Sequence, residues 1–411
     1  MNTKSMVFLS AVAVASAASA DVMDRPQGVK IGERMTLRPY VALSYTYDSN
    51  VDSTKHSKAG SQWLVRPGAE FDYVDENWSL VGSAYYEYHA YQHYSSQLNQ
   101  SSFGETLNFN WANARADERG WRVKFTETFR QIAQDDDMSD SGGRGIGRDR
   151  MEFKADGVVE RRLNAYWRAA AIGDYYLLDY DNDVEKYANL YGWKRAVAGG
   201  EIGYAPTKWT DLILHANYQW YWQDNGGTYY NRSIRSNSKG WSVLAGLGSH
   251  ATEKITYRVL GGWSHFEYAE GVNDCDGFTY QVSANWKVDH TLSLMLLGSS
   301  YYQPSEHEYG SAIKVNSVSF GLAKSFVRGK VNGTLDLAYR NEHHVYTMFG
   351  DNDYDQNIYT ARIGVNYILN QFFSLFGRVE YQTCDTTGES IGGHYYDYDR
   401  FRGTVGVRMT Y

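Results

Sequence analysis

The sequence predicts an all-β fold: a transmembrane, antiparallel, up-and-down barrel of about 18 strands, with 16 as the alternative. Three observations carry this. Short stretches alternate apolar and polar residues almost without a break from Thr36 to Tyr411, so each has one oily and one wet face. The connections between them alternate too, long and polar, then short and tight, which sets two different compartments at the two ends. Aromatics make up 16 % of the chain, with 36 Tyr and 12 Trp, against 5 Pro. Two headgroup layers use many amphipathic rings, and a mostly ladder-bonded chain has little room for proline.

The 411 residues have a mean hydropathy of −0.55, and no run of 18 apolar residues is present, which excludes a membrane-spanning helix. Residues 1–20 read as a secretory signal: Lys4, an apolar core from Met6 to Ala15, and Ala18-Ser19-Ala20 at the cleavage site. Residues 21–34 read as a short periplasmic segment, a tail or a plug fragment, and residues 35–411 as the barrel. A net charge of −8 argues against nucleic acid as a partner. Cys275 and Cys384 fall in stretches read as long loops; they either pair as a disulfide or stay as thiols, since sequence sets no distance.

The strands follow in order. Val41, Leu43, Tyr45 and Tyr47 form the first oily face, before a polar loop from Asp48 to Gly60. Trp63, Val65, Ala69, Phe71 and Tyr73 return to the tight turn Asp75-Glu76-Asn77. Leu80, Ala84, Tyr86 and Tyr88 rise; Leu107, Phe109 and Trp111 descend; Val123, Phe125 and Phe129 rise; Met151, Phe153, Ala155 and Val159 descend. Trp167 to Leu177 rises, and Ala198, Ile202 and Tyr204 descend to a turn at Pro206–Trp209. Leu212, Leu214, Ala216, Tyr218, Trp220 and Trp222 make the clearest single strand. Trp241 to Leu247, Ile255 to Trp263 and Phe278 to Trp286 continue the pattern. Leu292, Leu294, Leu296 and Tyr302 rise on an oily face, followed by Val318 to Leu322, Leu335 to Tyr339, Tyr359 to Tyr367, Leu375 to Tyr381, and Phe401 to Tyr411. A missing strand would swap long and short connections from that point on, and they never swap.

A barrel this wide is not filled by its own side chains, so a watery lumen is expected. The candidate pore-lining residues are Arg38, Arg66, Glu70, Arg122, Lys124, Arg195, Arg258, Arg340, Arg362, Arg378, Arg400 and Arg402. A net basic lumen would favour anionic solutes; alternatively, these charges pair across strands and brace the wall. The acidic runs Asp135–Asp137, Asp179–Asp183 and Asp351–Asp355 lack the completion of an EF-hand loop, so a solvated rim bridged to lipopolysaccharide is expected rather than a metal site. The run Gly142–Gly147 lacks the Lys-Ser/Thr of a phosphate loop. His89, His93, His343 and His344 have no nucleophile motif beside them, so neither an enzyme nor a cofactor is expected.

Arg38-Pro39-Tyr40-Val41-Ala42-Leu43-Ser44-Tyr45-Thr46-Tyr47-Asp48-Ser49-Asn50-Val51 resembles the opening strand of the putative β-barrel porin 2 family, and Arg66-Pro67-Gly68-Ala69-Glu70-Phe71 looks like its next strand. The aromatic end Met409-Thr410-Tyr411 is similar to the signal read by the barrel-assembly machinery. The resemblance implies a Gram-negative outer-membrane barrel, sometimes linked to polysaccharide export. The expected function is passive diffusion of small hydrophilic, anionic or saccharide solutes. Export of a surface polysaccharide, and a structural or adhesive barrel with no open pore, are the rivals.

Overall fold

The computed structural model describes residues 28–51, 58–92, 100–113, 119–132, 150–180, 192–207, 209–223, 228–229, 232–233, 237–249, 254–268, 274–304, 312–345, 353–388 and 397–411. The signal segment, His93, Asp135–Asp137 and Gly142–Gly147 lie outside the described residues. A closed 18-strand antiparallel barrel is formed. Its strands are β1 (Met35–Asp48), β2 (Gly60–Val74), β3 (Trp78–Tyr91), β4 (Gln100–Ala112), β5 (Gly120–Ile132), β6 (Arg150–Arg162), β7 (Trp167–Tyr180), β8 (Trp193–Thr207) and β9 (Thr210–Gln223). The second half comprises β10 (Ser238–Ser249), β11 (Ile255–Tyr268), β12 (Cys275–Lys287), β13 (Leu292–Pro304), β14 (Ala312–Phe326), β15 (Val331–Val345), β16 (Tyr354–Ile368), β17 (Phe373–Gly388) and β18 (Tyr398–Thr410). Each strand pairs with its sequence neighbours, and β18 closes on β1 from Tyr40↔Thr410 to Asp48↔Arg402. A short strand, Val29–Ile31, pairs with Met35–Leu37 and carries the β1 edge below the last residues of β18.

The alternation does what the sequence predicts. On β1, Tyr40, Ala42, Ser44, Thr46 and Asp48 are buried while Val41, Leu43 and Tyr47 are exposed on the outside. Trp121, Trp167, Trp209 and Trp286 ring the short-turn end, and Trp63, Trp220, Trp222 and Trp263 ring the other, all on the outer face. Such rings fit the two interfaces of a bilayer. Trp193 is the exception: it points inward and is buried. Two carboxylates break the outer pattern at mid-height. Glu105 stands opposite Ala84 and Phe129, and Glu127 opposite Leu107 and Ala155, all on the oily face.

One ladder is incomplete. The β12–β13 register runs from Lys287↔Ser293 only to Gln281↔Ser299. Above that level, β12 still pairs with β11 as far as Cys275↔Phe266, and β13 still pairs with β14 as far as Pro304↔Ala312. The two strands have parted, and the free edge of β13 slides inside β12 like the inner lap of a scroll. Tyr302 and Ala312 therefore join Leu178, Trp193, Tyr221 and Phe266 in one buried cluster, with Tyr176, Cys275 and Val345 packed against it. The Tyr221 hydroxyl donates to the Tyr302 carbonyl at 3.1 Å, and its ring meets Phe266 edge-on at 5.2 Å. This corrects the outward assignment of Tyr302. Period two gives the face of a strand, not whether the strand stays in the wall.

The cysteines are corrected as well. Both lie in strands rather than loops, Cys275 opening β12 and Cys384 inside β17, and both are reduced thiols. No disulfide joins them.

Candidate functional site: the inner wall

Alternation places all twelve candidate residues on the inner face, and neighbouring strands supply opposite charges. Asp336, Arg362, Glu380, Arg402 and Asp48 stand directly opposite one another across β15, β16, β17, β18 and β1. Alternating sign in directly opposed positions is the favourable cross-strand arrangement. Glu380 accepts from Arg362 Nε at 2.6 Å, from Arg378 at 2.8 Å and from Arg402 Nε at 3.1 Å. One carboxylate shared by three guanidinium groups leaves this patch net positive. Arg378 carries the most accessible of the three, with 43 % of its side chain exposed. Asp48 takes a bidentate contact from Arg400, Nε to Oδ1 at 3.1 Å and Nη2 to Oδ2 at 2.6 Å.

A second hub forms on the opposite side. Glu201 on β8 accepts from Arg168 at 2.8 Å and from Arg258 at 2.6 Å, with His215 at 3.4 Å. Arg258 is on β11, so its side chain crosses β9 and β10 to arrive. Gly246 and Gly248 on the inner face of β10 leave that path low. Arg168 also bonds Asp211 at 3.2 Å and Glu160 at 3.4 Å. Buried charges of this kind are tolerated only when paired and hydrogen-bonded.

The remaining candidates follow the same rule. Arg66 pairs with Glu87, which also meets His89 and Ser102 at 3.1 Å each. Arg195 donates to Asp174, Arg340 to Glu342, Arg122 to Glu160, Arg38 to Asp72, and Glu70 receives Arg408. Lys124 alone has no carboxylate in ion-pair range among the described residues. Of the histidines, His344 stacks on Tyr354 at 4.3 Å, while His343 lies 3.1 Å from Asp355. Sequence reasoning missed four inner carboxylates, Asp48, Asp174, Asp211 and Glu342, together with Arg168. Asp48 read as the start of a loop. The others were legible in principle, since each lies two or four residues along its strand from another inner residue.

The wall differs along its length. Toward the long connections, inner side chains from β7 to β18 are buried: Tyr221, Phe266, Val315, Glu342 and Gln356 are each at most 1 % exposed. Toward the short turns, Ser293, Met295, Thr334, Asn366, Phe376 and Arg408 keep part of their surface accessible. Inner side chains thus stay partly accessible below, while above them the overlapping lap brings inner surfaces together.

Outside the bilayer, the β12–β13 turn is held by Asp289. Its carboxylate accepts from the Thr291 hydroxyl at 2.7 Å, the Thr291 amide at 2.6 Å and the Leu292 amide at 2.9 Å, which draws its pKa down to about 2.

Residues 214–411 match the family model of putative beta-barrel porin 2. The protein is a porin-like barrel of the outer membrane. The matched span is β9 to β18, whereas the resemblance visible in plain residues lies in β1 and β2. Solved structures similar to the chain include the outer membrane protein OpdK of Pseudomonas aeruginosa, at 12 % identity over 91 % of this chain and 99 % of that one, TM-score 0.44. The ferric-catecholate import receptor Fiu of E. coli K12 aligns at 8 % identity over 94 % and 82 %, TM-score 0.41. The siderophore receptor PirA of Pseudomonas aeruginosa gives 8 % over 93 % and 81 %, TM-score 0.41. No curated protein sequence matches the chain. The fold assignment rests on the strand ladders themselves.

Proposed function

We propose that this barrel is a passive, non-enzymatic channel for small hydrophilic solutes with a preference for anions. The observation that carries the preference is the Glu380 patch, where Arg362, Arg378 and Arg402 share one carboxylate and Arg378 faces the accessible lower lumen. Lys124 adds a second cation with no paired acid among the described residues. Most other inner arginines are neutralised by a neighbour, so selectivity is mild rather than strict. Reversal potential in a planar bilayer under a salt gradient tests it. Anion preference that falls on Arg378→Gln supports the reading, and cation preference in the parent protein overturns it.

The closed, structural barrel remains the competing reading. Its support is the buried aromatic layer of Trp193, Tyr221, Phe266 and Tyr302 at the long-connection end. A reconstituted protein with no conductance at any voltage selects it.

A further inference from the structure

We propose that the parted seam between β12 and β13 is a gate: the lap closes the mouth when β13 lies inside β12, and opens it when the ladder zips up to the rim. The inference rests on the channel reading above.

Four observations support it. The existing register extends without a shift, so that Tyr280 would meet Ser300, Phe278 would meet Tyr302, and Asp276 would meet Pro304. In that zipped state Phe278 and Tyr302 both fall on the outer face, where an amphipathic ring suits the interface as well as it suits the buried cluster. The sequence is therefore compatible with both positions of β13, which is what a two-state element requires.

The parted state also has a cost that zipping removes. From Asp276 to Tyr280, among the described residues, no ladder pairing joins β12 to β13. Backbone groups without a ladder partner near lipid are unfavourable, and the aromatic cluster works against that penalty in the parted state. Finally, Gly277 leaves room for the parted state, where a side chain would have to turn aside the ends of Tyr302 and Lys314. A Cβ there would stand 2.9 Å from the Tyr302 hydroxyl and 3.0 Å from Lys314 Nζ. In the zipped state position 277 would face Gln303, a cross-strand site that accepts ordinary side chains.

The test uses the full-length protein carrying Cys275→Ser and Cys384→Ser, with Thr279→Cys and Tyr301→Cys added. These two positions oppose each other only when the seam is zipped. Oxidation should form the cross-link, and mean conductance in a planar bilayer should rise several-fold and return on reduction. Gly277→Leu, without any cross-link, should raise the open fraction in the same direction. A conducting parent in which no cross-link forms, or in which the cross-linked protein conducts no more than the reduced one, overturns the gate and leaves the channel. A cross-link that forms in a protein that conducts in neither state overturns the channel reading and the gate with it.

Discussion

Arg400 and Arg38 sit on the two strands that close the ring, near opposite ends of the same seam, and they are treated differently. Arg400, with 4 % of its side chain exposed, is held bidentately by Asp48, itself 12 % exposed. Arg38 is 19 % exposed and its partner Asp72 is 34 % exposed, so water shares the work. The first is an interior charge pair and the second a wetted one. Along the whole inner wall the upper end behaves as a packed interior and the lower end as a hydrated surface. The same alternating residues make both.

The largest expected effect tests that contrast directly. Asp48→Ala strands a buried guanidinium and should cost about 3–5 kcal/mol, whereas Asp72→Ala should cost no more than about 1 kcal/mol. Urea unfolding in lipid vesicles measures both, and equal losses would break the comparison. Tyr221→Ala empties the centre of the upper aromatic layer and should cost about 3–5 kcal/mol if the layer is packed as described. A loss under about 1 kcal/mol would mean that water already fills that region.

At the short-turn end, Val327 and Arg328 both adopt positive φ, 52° and 55°. A β-branched residue is strained there, so Val327→Gly should raise stability by about 1 kcal/mol, read from the same unfolding curves. On the outer face, Glu105→Leu should stabilise the vesicle-embedded barrel by about 1 kcal/mol, because it removes a carboxylate from mid-bilayer. No gain would place that side against something other than acyl chains.

The smallest effect concerns the Asp289 turn. The carboxyl is held low by Thr291 and Leu292, so its contribution is complete above the ordinary carboxylate range and fades as pH falls from about 4 toward its folded value near 2. Unfolding rates measured across that window should rise in the parent and stay flatter in Asp289→Asn.

Much of the barrel was legible because lipid and water impose a strict period of two. The outward Leu212, Leu214 and Trp222 and the inward Arg195 and Arg362 follow from that alone. Tyr302 did not, because its surroundings depend on whether β13 stays in register with β12, a tertiary choice that local pattern does not encode. The inner arginines were visible, and so was the reading in which they pair across strands, but the partner of each was not. Pairing depends on register across strands, as when Asp336, Arg362 and Glu380 meet from three segments of the chain. Arg258 shows the same limit more sharply, since its partner Glu201 lies three strands away.

The short strand Val29–Ile31 has a protective consequence. β18 covers β1 only from Tyr40 upward, and the Tyr411 amide adds a bond to the Pro39 carbonyl at 3.0 Å. Below that point β1 would present a bare row of amides and carbonyls to any extended chain passing in the periplasm. Because Val29, Lys30 and Ile31 occupy those groups, the molecule carries its own blocker against stray strand addition at the seam of β1 and β18.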